Sequence, residues 1–294
     1  MVYLGEKIPI SISIKTKNSL NLFIIDFYSD LNSCLHPSKL VDLNNIQDLN
    51  NIKNDLWNKF FDFIILNCNK DVIFVHNLGS FDGFFLYKAL SNRFKADEVT
   101  CLIDNQNKFI QITLEIDKLK ITFKDSYRIY PVSLTELCNI LYIPGKFCSY
   151  KPEFHEISLF ENSLLLEEFK EYSLQDSACL YDCIYKLQEL YLTEYNVDIT
   201  TILSTSTLSM KIFRSKFLKV NIPILKRIDD DFIRQGYFGG ATDYYKMKAE
   251  NLYYYDVNSL YPFAMKKPMP FELIRKIKVH EHENNFNLGS FFGF

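Results

Sequence analysis

The feature that most limits the folds open to this chain is a short apolar strand, Asp71-Val72-Ile73-Phe74-Val75-His76, set between two segments of helical periodicity. Before it, residues Ile52 to Cys68 place Leu56, Phe60, Phe61, Ile64 and Ile65 at the three-and-four spacing of an amphipathic helix. After it, Phe84 to Leu90 begins another helix. A strand with no polar alternation buries both of its faces, and helices on either side in sequence can cover it, so the spacing predicts an α/β domain. Ile8 to Lys15 alternates apolar and polar residues, and Leu22 to Tyr28 follows as a second apolar run, so these read as neighbouring strands. Val99–Ile103, Phe109–Ile116 and Leu119–Phe123 read as three more, the last two joined at Asp117-Lys118. Pro131 to Leu141 reads as a helix. Tyr142 to Ser163, interrupted by Pro144, Gly145 and Pro152, reads as an ordered loop. A long helix from Leu164 to about Leu192 closes a first domain over residues 1–195. Residues 196–294 form the second part, with a helix near Thr205–Val220 and then a Gly/Tyr-rich strand region.

Composition narrows the function classes. Hydrophobic residues at 48% and charged residues at 23% describe a chain that folds, which excludes a disordered tail or linker. A net charge of −3 offers no global attraction to phosphate, so any nucleic-acid binding has to come from local placement of Lys and Arg. The seven cysteines are scattered and contain no C-x-x-C, which signals neither a disulfide framework nor a zinc site and fits a reducing compartment. No apolar run approaches the roughly 18–20 residues needed to span a bilayer, so no membrane partner is expected.

Three segments carry chemistry. The strand at 71–76 runs into His76-Asn77-Leu78-Gly79-Ser80-Phe81-Asp82, a polar turn that ends in a carboxylate before an aromatic-rich helix. Asp82 at the carboxyl end of a buried strand is well placed for a metal ion, with Asn77 and Phe81 available to a phosphate or a base. Taken alone, Asp82 reads first as the N-cap of that helix. In the long helix, Tyr172 and Asp176 are four residues apart and share one face. Alone, they read as a core-edge phenol and a solvated carboxylate. The third segment is Tyr254-Tyr255-Asp256-Val257-Asn258-Ser259-Leu260-Tyr261-Pro262, where an apolar-aromatic strand delivers Asp256 and where Asn258 and Ser259 can cap a short helix. Upstream of it, Gly239 and Gly240 follow Tyr237 and allow close backbone approach to a sugar-phosphate chain, or else form a hairpin turn.

The order H-N-x-x-x-F-D, Y-x-x-x-D, Y-x-G-G, D-x-x-S-L-Y-P resembles the family B DNA polymerases, and within them the protein-primed branch of some bacteriophages and linear mitochondrial plasmids. The resemblance runs from about residue 8 to residue 294 and covers part of such an enzyme. It implies an RNase H-like 3′–5′ exonuclease domain followed by the beginning of a polymerase palm, and nucleotidyl transfer from dNTP to a primer hydroxyl in the complete enzyme. Asn77, Phe81 and Asp82 match the second exonuclease motif, where the Asp binds metal and its neighbours touch a single-stranded 3′ end. Tyr172 and Asp176 match the third, with the Asp a metal ligand and the Tyr orienting water. Tyr237, Gly239 and Gly240 match a loop that grips template DNA. Asp256 matches the first polymerase metal ligand, and Ser259, Leu260 and Tyr261 the nucleotide-binding segment, with Tyr261 excluding a ribose 2′-OH. Ser126, in Asp125-Ser126-Tyr127-Arg128, and Lys146 fall where this branch contacts DNA ends and the terminal protein. The resemblance further implies two-metal sites for Mg²⁺ or Mn²⁺, primer-template DNA and a terminal protein primer as partners, and a mitochondrial location.

The pattern departs from the family at both ends. A first-strand D-x-E is expected, but Asp26-Phe27-Tyr28 has Tyr in place of Glu. Ile8–Lys15 and Leu22–Tyr28 are therefore expected to be the second and third strands, with the first outside this chain. The K-x-x-x-N-S-x-Y-G helix and the D-T-D turn are absent, and 288–294 reads as a strand cut off midway. With Asp256 as its lone polymerase carboxylate, the chain is expected to show no dNTP incorporation. A free-standing 3′–5′ exonuclease using Asp82, Asp176 and Tyr172 is the second hypothesis, and a non-catalytic relic that binds DNA or terminal protein is the third. His280 and His282 read as part of a solvated charge run, and Cys179 and Cys183 as core packing.

Overall fold

The computed structural model describes residues 2–3, 6–7, 9–24, 46–145, 150–241, 243–244 and 246–274. The chain divides into two compact units, Met1–Phe217 and Leu218–Phe294. Asp26, Lys146, His280, His282 and the segment 288–294 lie outside the described residues.

The first unit opens with two short hairpins, β1 (Val2–Tyr3) with β2 (Glu6–Lys7) and β3 (Ser11–Lys15) with β4 (Leu20–Ile24). The second is closed by a turn in which the Thr16 N–H donates to the Ser19 carbonyl. Helix α1 (Ile46–Asn67) then leads to β5 (Val72–Val75) and α2 (Asp82–Arg93). Strands β6 (Val99–Ile103), β7 (Phe109–Ile116) and β8 (Leu119–Asp125) complete a mixed sheet of order β5-β8-β7-β6. β5 runs parallel to β8, and the other neighbours are antiparallel. Asp117, at φ 51°, turns β7 into β8 with Ile116 opposite Leu119. Among the described residues β5 pairs on one side only.

Alternation along the sheet assigns its two faces. Ile73 and Val75 of β5 pack with Ile121 and Phe123 of β8, Phe60, Phe61 and Ile64 of α1, and Leu86 and Leu90 of α2. Phe74 points the other way, into a core built from α3 (Leu134–Leu141), α4 (Ser163–Tyr195) and the segment Val197–Leu208. Helices therefore cover both faces, as the uninterrupted apolar strand requires. Ser133 caps α3 by accepting from the Glu136 N–H, and Asn162 caps α4 by accepting from Leu164 and Leu165. Asn196, at φ 54°, ends α4 in the left-handed conformation that Asn tolerates. A smaller core gathers Ile10, Leu56, Phe154, Leu159 and Phe169. The loop expected over 142–163 contains two 3₁₀ turns, Pro152–His155 and Ile157–Phe160.

Cys138 and Cys183 meet inside the α3–α4 core with their sulfurs 3.6 Å apart. Burial raises both α4 thiols, Cys179 to about 11, with Cys138 adding to the effect. These cysteines are core packing, as their helical spacing suggests.

Past α4 the first unit continues to Phe217. Helix α5 (Thr205–Ile212) is tied down at its start, where the Thr205 N–H donates to the Arg128 carbonyl at 3.0 Å, and it passes into a π-helical turn at Phe213–Phe217. The single helix expected from Thr205 to Val220 thus changes its winding at Phe213.

The second unit holds α6 (Arg227–Gln235) and α7 (Leu260–Met265). Two expectations are corrected here. No strand forms between 236 and 256 among the described residues, and Asp256 stands in irregular backbone. A strand needs a hydrogen-bonded neighbour, and none of the described residues supplies one. Ser259 occupies the N-cap position of α7 at φ 58°, but its side chain makes no cap hydrogen bond, because the left-handed backbone turns it away from that role. Asp229 is the only buried residue among those described in this unit.

Candidate nucleic-acid site

The turn after β5 is held from below by a residue that the sequence did not single out. Asp125, at the end of β8 and 4% exposed, accepts from the Asn77 N–H at 2.9 Å, the Gly79 N–H at 3.0 Å and the Tyr127 N–H at 2.9 Å. A buried carboxylate that takes three backbone donors fixes the turn that carries the next residues. Asn77 adopts φ 68°, a conformation open to Asn and strained for most other side chains. Two glycines let the turn close. A Cβ on Gly79 would lie 2.7 Å from the Phe109 carbonyl, and one on Gly83 would lie 2.6 Å from the Leu78 carbonyl.

Asp82 emerges from this turn as the first residue of α2. The N-cap position belongs to Phe81 and has no side-chain cap bond, so Asp82 is not the cap. Its carboxylate accepts no hydrogen bond from the described residues. The residue is open to solvent, yet crowding around the carboxyl and, after it, the negative charge of Asp125 raise its pKa. Phe81 is 45% exposed with its ring 5.0 Å from Phe85, and Phe84 is half exposed beside Phe109. The start of α2 thus presents a solvent-facing carboxylate at position 82 and exposed phenyl rings at positions 81 and 84.

Behind the turn, His76 links β5 to the start of α3. Its Nε2 lies 2.9 Å from the Val132 carbonyl, which can only accept, so Nε2 carries a proton, while Nδ1 lies 3.0 Å from the Ser126 hydroxyl, which also reaches the Val75 carbonyl at 3.3 Å. Ser126 is fully buried and its N–H donates to the Val75 carbonyl. Its hydroxyl is directed inward, and the exposed residue of that segment is Tyr127, with its ring 5.6 Å from His76.

Tyr172 and Asp176 lie one turn apart on α4 and are both half-buried. Tyr172 packs on Phe154 at 5.7 Å and on Tyr150 at 6.2 Å, at the rim of the small core. Next to them in sequence, Ser173 and Ser177 dock α4 on β3: Ser13 donates to the Ser173 carbonyl at 2.7 Å and lies 2.6 Å from the Ser177 hydroxyl. Since Ser13 spends its only proton on the carbonyl, Ser177 is the donor of the second bond. Asp82 belongs to the helix over one face of the sheet and Asp176 to a helix over the other. Among the described residues no group of three or more His, Cys, Asp or Glu side chains is placed to share a metal ion.

In the second unit, Tyr237 is 84% exposed, and a Cβ on Gly239 would meet nothing within 4 Å. Gly240 lies near α7, with its Cβ position 3.9 Å from the Tyr261 hydroxyl. The Y-x-G-G and S-L-Y-P segments are thus neighbours, with room rather than crowding at the glycine pair. Asp256, Leu260 and Tyr261 are exposed.

The ordered motifs and the mixed α/β unit define a class, and comparison with known proteins assigns it. A family model described as DNA polymerase type B, organellar and viral, matches residues 64–152 and 149–294, and the chain belongs to that family. A probable DNA polymerase of Agaricus bitorquis is 30% identical over 275 residues, covering 79% of this chain and 34% of that protein. The DNA polymerase of Streptococcus phage Cp-1 is 28% identical over 220 residues, covering 70% of this chain and 36% of that protein. The chain spans about a third of the length of these curated relatives. A solved structure of phi29 DNA polymerase complexed with primer-template DNA and incoming nucleotide substrates aligns with TM-score 0.48 and 17% identity, over 63% of this chain and 32% of that one.

Proposed function

We propose that this chain is the amino-terminal portion of a protein-primed DNA-directed DNA polymerase, acting in DNA replication, with an RNase H-like 3′–5′ exonuclease domain in residues 1–195 and the start of a polymerase palm in 196–294. Membership of the type B polymerases supports the reading, and the four motifs stand in that family's order. The observation that carries the exonuclease assignment is Asp82. Its carboxylate is left without a hydrogen bond by the described residues and is raised in pKa by burial and by Asp125, and the neighbouring residues Phe81 and Phe84 are exposed. A carboxylate in that state gains from a divalent cation, which removes the repulsion and favours ionisation.

Asp82 fits the role of metal ligand. Asp125 does not, because three backbone donors occupy it. Asp82 and Asp176 would hold Mg²⁺ or Mn²⁺ for the nuclease, and Asp256 would hold a polymerase metal. Such ions supply charge neutralisation at the phosphate and activation of the attacking oxygen. Asn77 and Phe81 would hold a single-stranded 3′ end, and Tyr172 would orient water. Tyr237, Gly239 and Gly240 would face template, and Ser259, Leu260 and Tyr261 the incoming dNTP. A terminal protein is the proposed primer. Membership of a family of organellar and viral polymerases supports a mitochondrial location.

A 3′-labelled single-stranded oligonucleotide tests the Asp82 assignment. Mn²⁺ is expected to tighten binding or promote shortening by the chain, and Asp82→Asn to remove the metal dependence. Binding indifferent to both Mn²⁺ and the substitution would overturn it. The second reading, DNA binding without cleavage, is favoured by the lack of a three-ligand cluster among the described residues. It predicts metal-independent binding weakened by Tyr237→Ala and by salt.

A further inference from the structure

Residues 199–228 contain no carboxylate and six cations, Lys211, Arg214, Lys216, Lys219, Lys226 and Arg227, in a chain whose acidic residues outnumber its basic ones. Within the first unit, this run surfaces at the end of α5. Leu208 is buried and Ile212 packs against the α3–α4 core, so that face of the helix is spent on the fold. The π-helical turn that follows, Phe213-Arg214-Ser215-Lys216-Phe217, is exposed along its whole length, with Phe213 at 45% and Phe217 at 63%. Neither Arg214 nor Lys216 makes an ion pair with a described residue. Two unpaired cations between two exposed phenyl rings form the pattern that binds single-stranded nucleic acid, where bases stack on the rings and phosphates meet the charges.

We infer that Phe213, Arg214, Lys216 and Phe217 form a binding surface for single-stranded DNA, separate from the Asp82 turn and from the Asp256 segment. Charge favours a polyanion over an apolar protein partner, and the rings favour unstacked bases over a duplex. The choice of DNA over RNA rests on the polymerase reading, and the rest of the inference stands without it.

Fluorescence anisotropy of a labelled oligothymidylate of about 16 nucleotides, titrated with the full chain, tests this. Arg214→Glu with Lys216→Glu is expected to weaken binding at least tenfold. Neutralising the two contacts lowers the slope of log K against log salt by about 1.4, measured from about 50 to 200 mM. Phe213→Ala with Phe217→Ala is expected to weaken single-strand binding about tenfold and to abolish preference over a duplex of the same length. Arg214→Gln with Lys216→Gln repeats the charge test without introducing repulsion. Unchanged affinity and salt slope in the charge variants would overturn the inference. If binding were then lost in Asp82→Asn or Phe81→Ala, the polymerase reading would survive while this surface fell. Equal binding of duplex by the wild-type chain would also overturn it, and no binding of either DNA by wild type would sink both.

Discussion

The turn at 76–83 and the segment 236–261 both carry polymerase motifs, yet they are built in opposite ways. In the first, the turn is anchored from beneath: Asp125 accepts the Asn77 and Gly79 N–H groups, His76 meets Ser126 and the Val132 carbonyl, and two glycines admit carbonyls that no Cβ would clear. In the second, Tyr237, Tyr254, Tyr255 and Tyr261 are all exposed, and Gly239 has open space around it. The difference teaches that a motif is conspicuous in sequence for what it touches, whereas its rigidity comes from what lies beneath it. The 76–83 turn has a sheet under it. The described part of the second unit buries one residue, Asp229, and so carries its motif without a core of its own.

The largest effect should come from the core itself. Phe61→Ala, at a fully buried ring, is expected to destabilise the first unit by about 3–5 kcal/mol in urea denaturation. Tyr254→Ala is expected to change stability by less than about 0.5 kcal/mol. Equal losses would break the comparison. Next, Asp125→Ala strands three backbone donors and should cost at least about 2 kcal/mol, with Asp125→Asn recovering part because one oxygen remains an acceptor. Gly83→Ala follows at about 1–3 kcal/mol, since the clash is with the Leu78 carbonyl and the Phe109 ring rather than with a mobile side-chain end. Gly239→Ala should be neutral or stabilise by up to about 1 kcal/mol through the unfolded chain.

The smallest effect concerns acidity. Burial and Asp125 raise the Asp82 pKa above its ordinary value of 3.8, so between that value and the folded pKa the native state binds more protons than the unfolded chain. Stability therefore falls as pH rises through this window. Asp82→Asn should remove that fall and stabilise the chain at neutral pH by less than about 1 kcal/mol, the carboxylate being open to solvent. Parallel denaturation curves of the two proteins at acidic and neutral pH measure it. A wild type that gains stability over the window would contradict the raised pKa.

Spacing made much of the first unit legible. The apolar periods of α1, α2 and α4 and the hydrophobic runs of β5 to β8 lie where burial on both sheet faces demands them. Asp125 was not legible as the support of the turn, because its partners Asn77 and Gly79 are brought to it by the pairing of β5 with β8 and not by sequence. Ser126 drew notice for its position in a motif, while its partner His76 comes from the neighbouring strand. Helix α6 did leave a signal, with Asp229, Asp230 and Asp231 opening it, Arg234 near its end and Gly236 just beyond. The aromatic run before Asp256 has the composition of a strand, but composition supplies no pairing partner.

Helix α4 carries a consequence for how the first unit comes apart. Thirty-three residues make a rod about 50 Å long, with Phe169 seated in one core and Cys179, Cys183 and Leu187 in another. A single keel of this kind ties the two compartments together, so loosening one is expected to loosen the other. Tyr172 and Asp176 ride on its middle, and their alignment is thereby held at both ends.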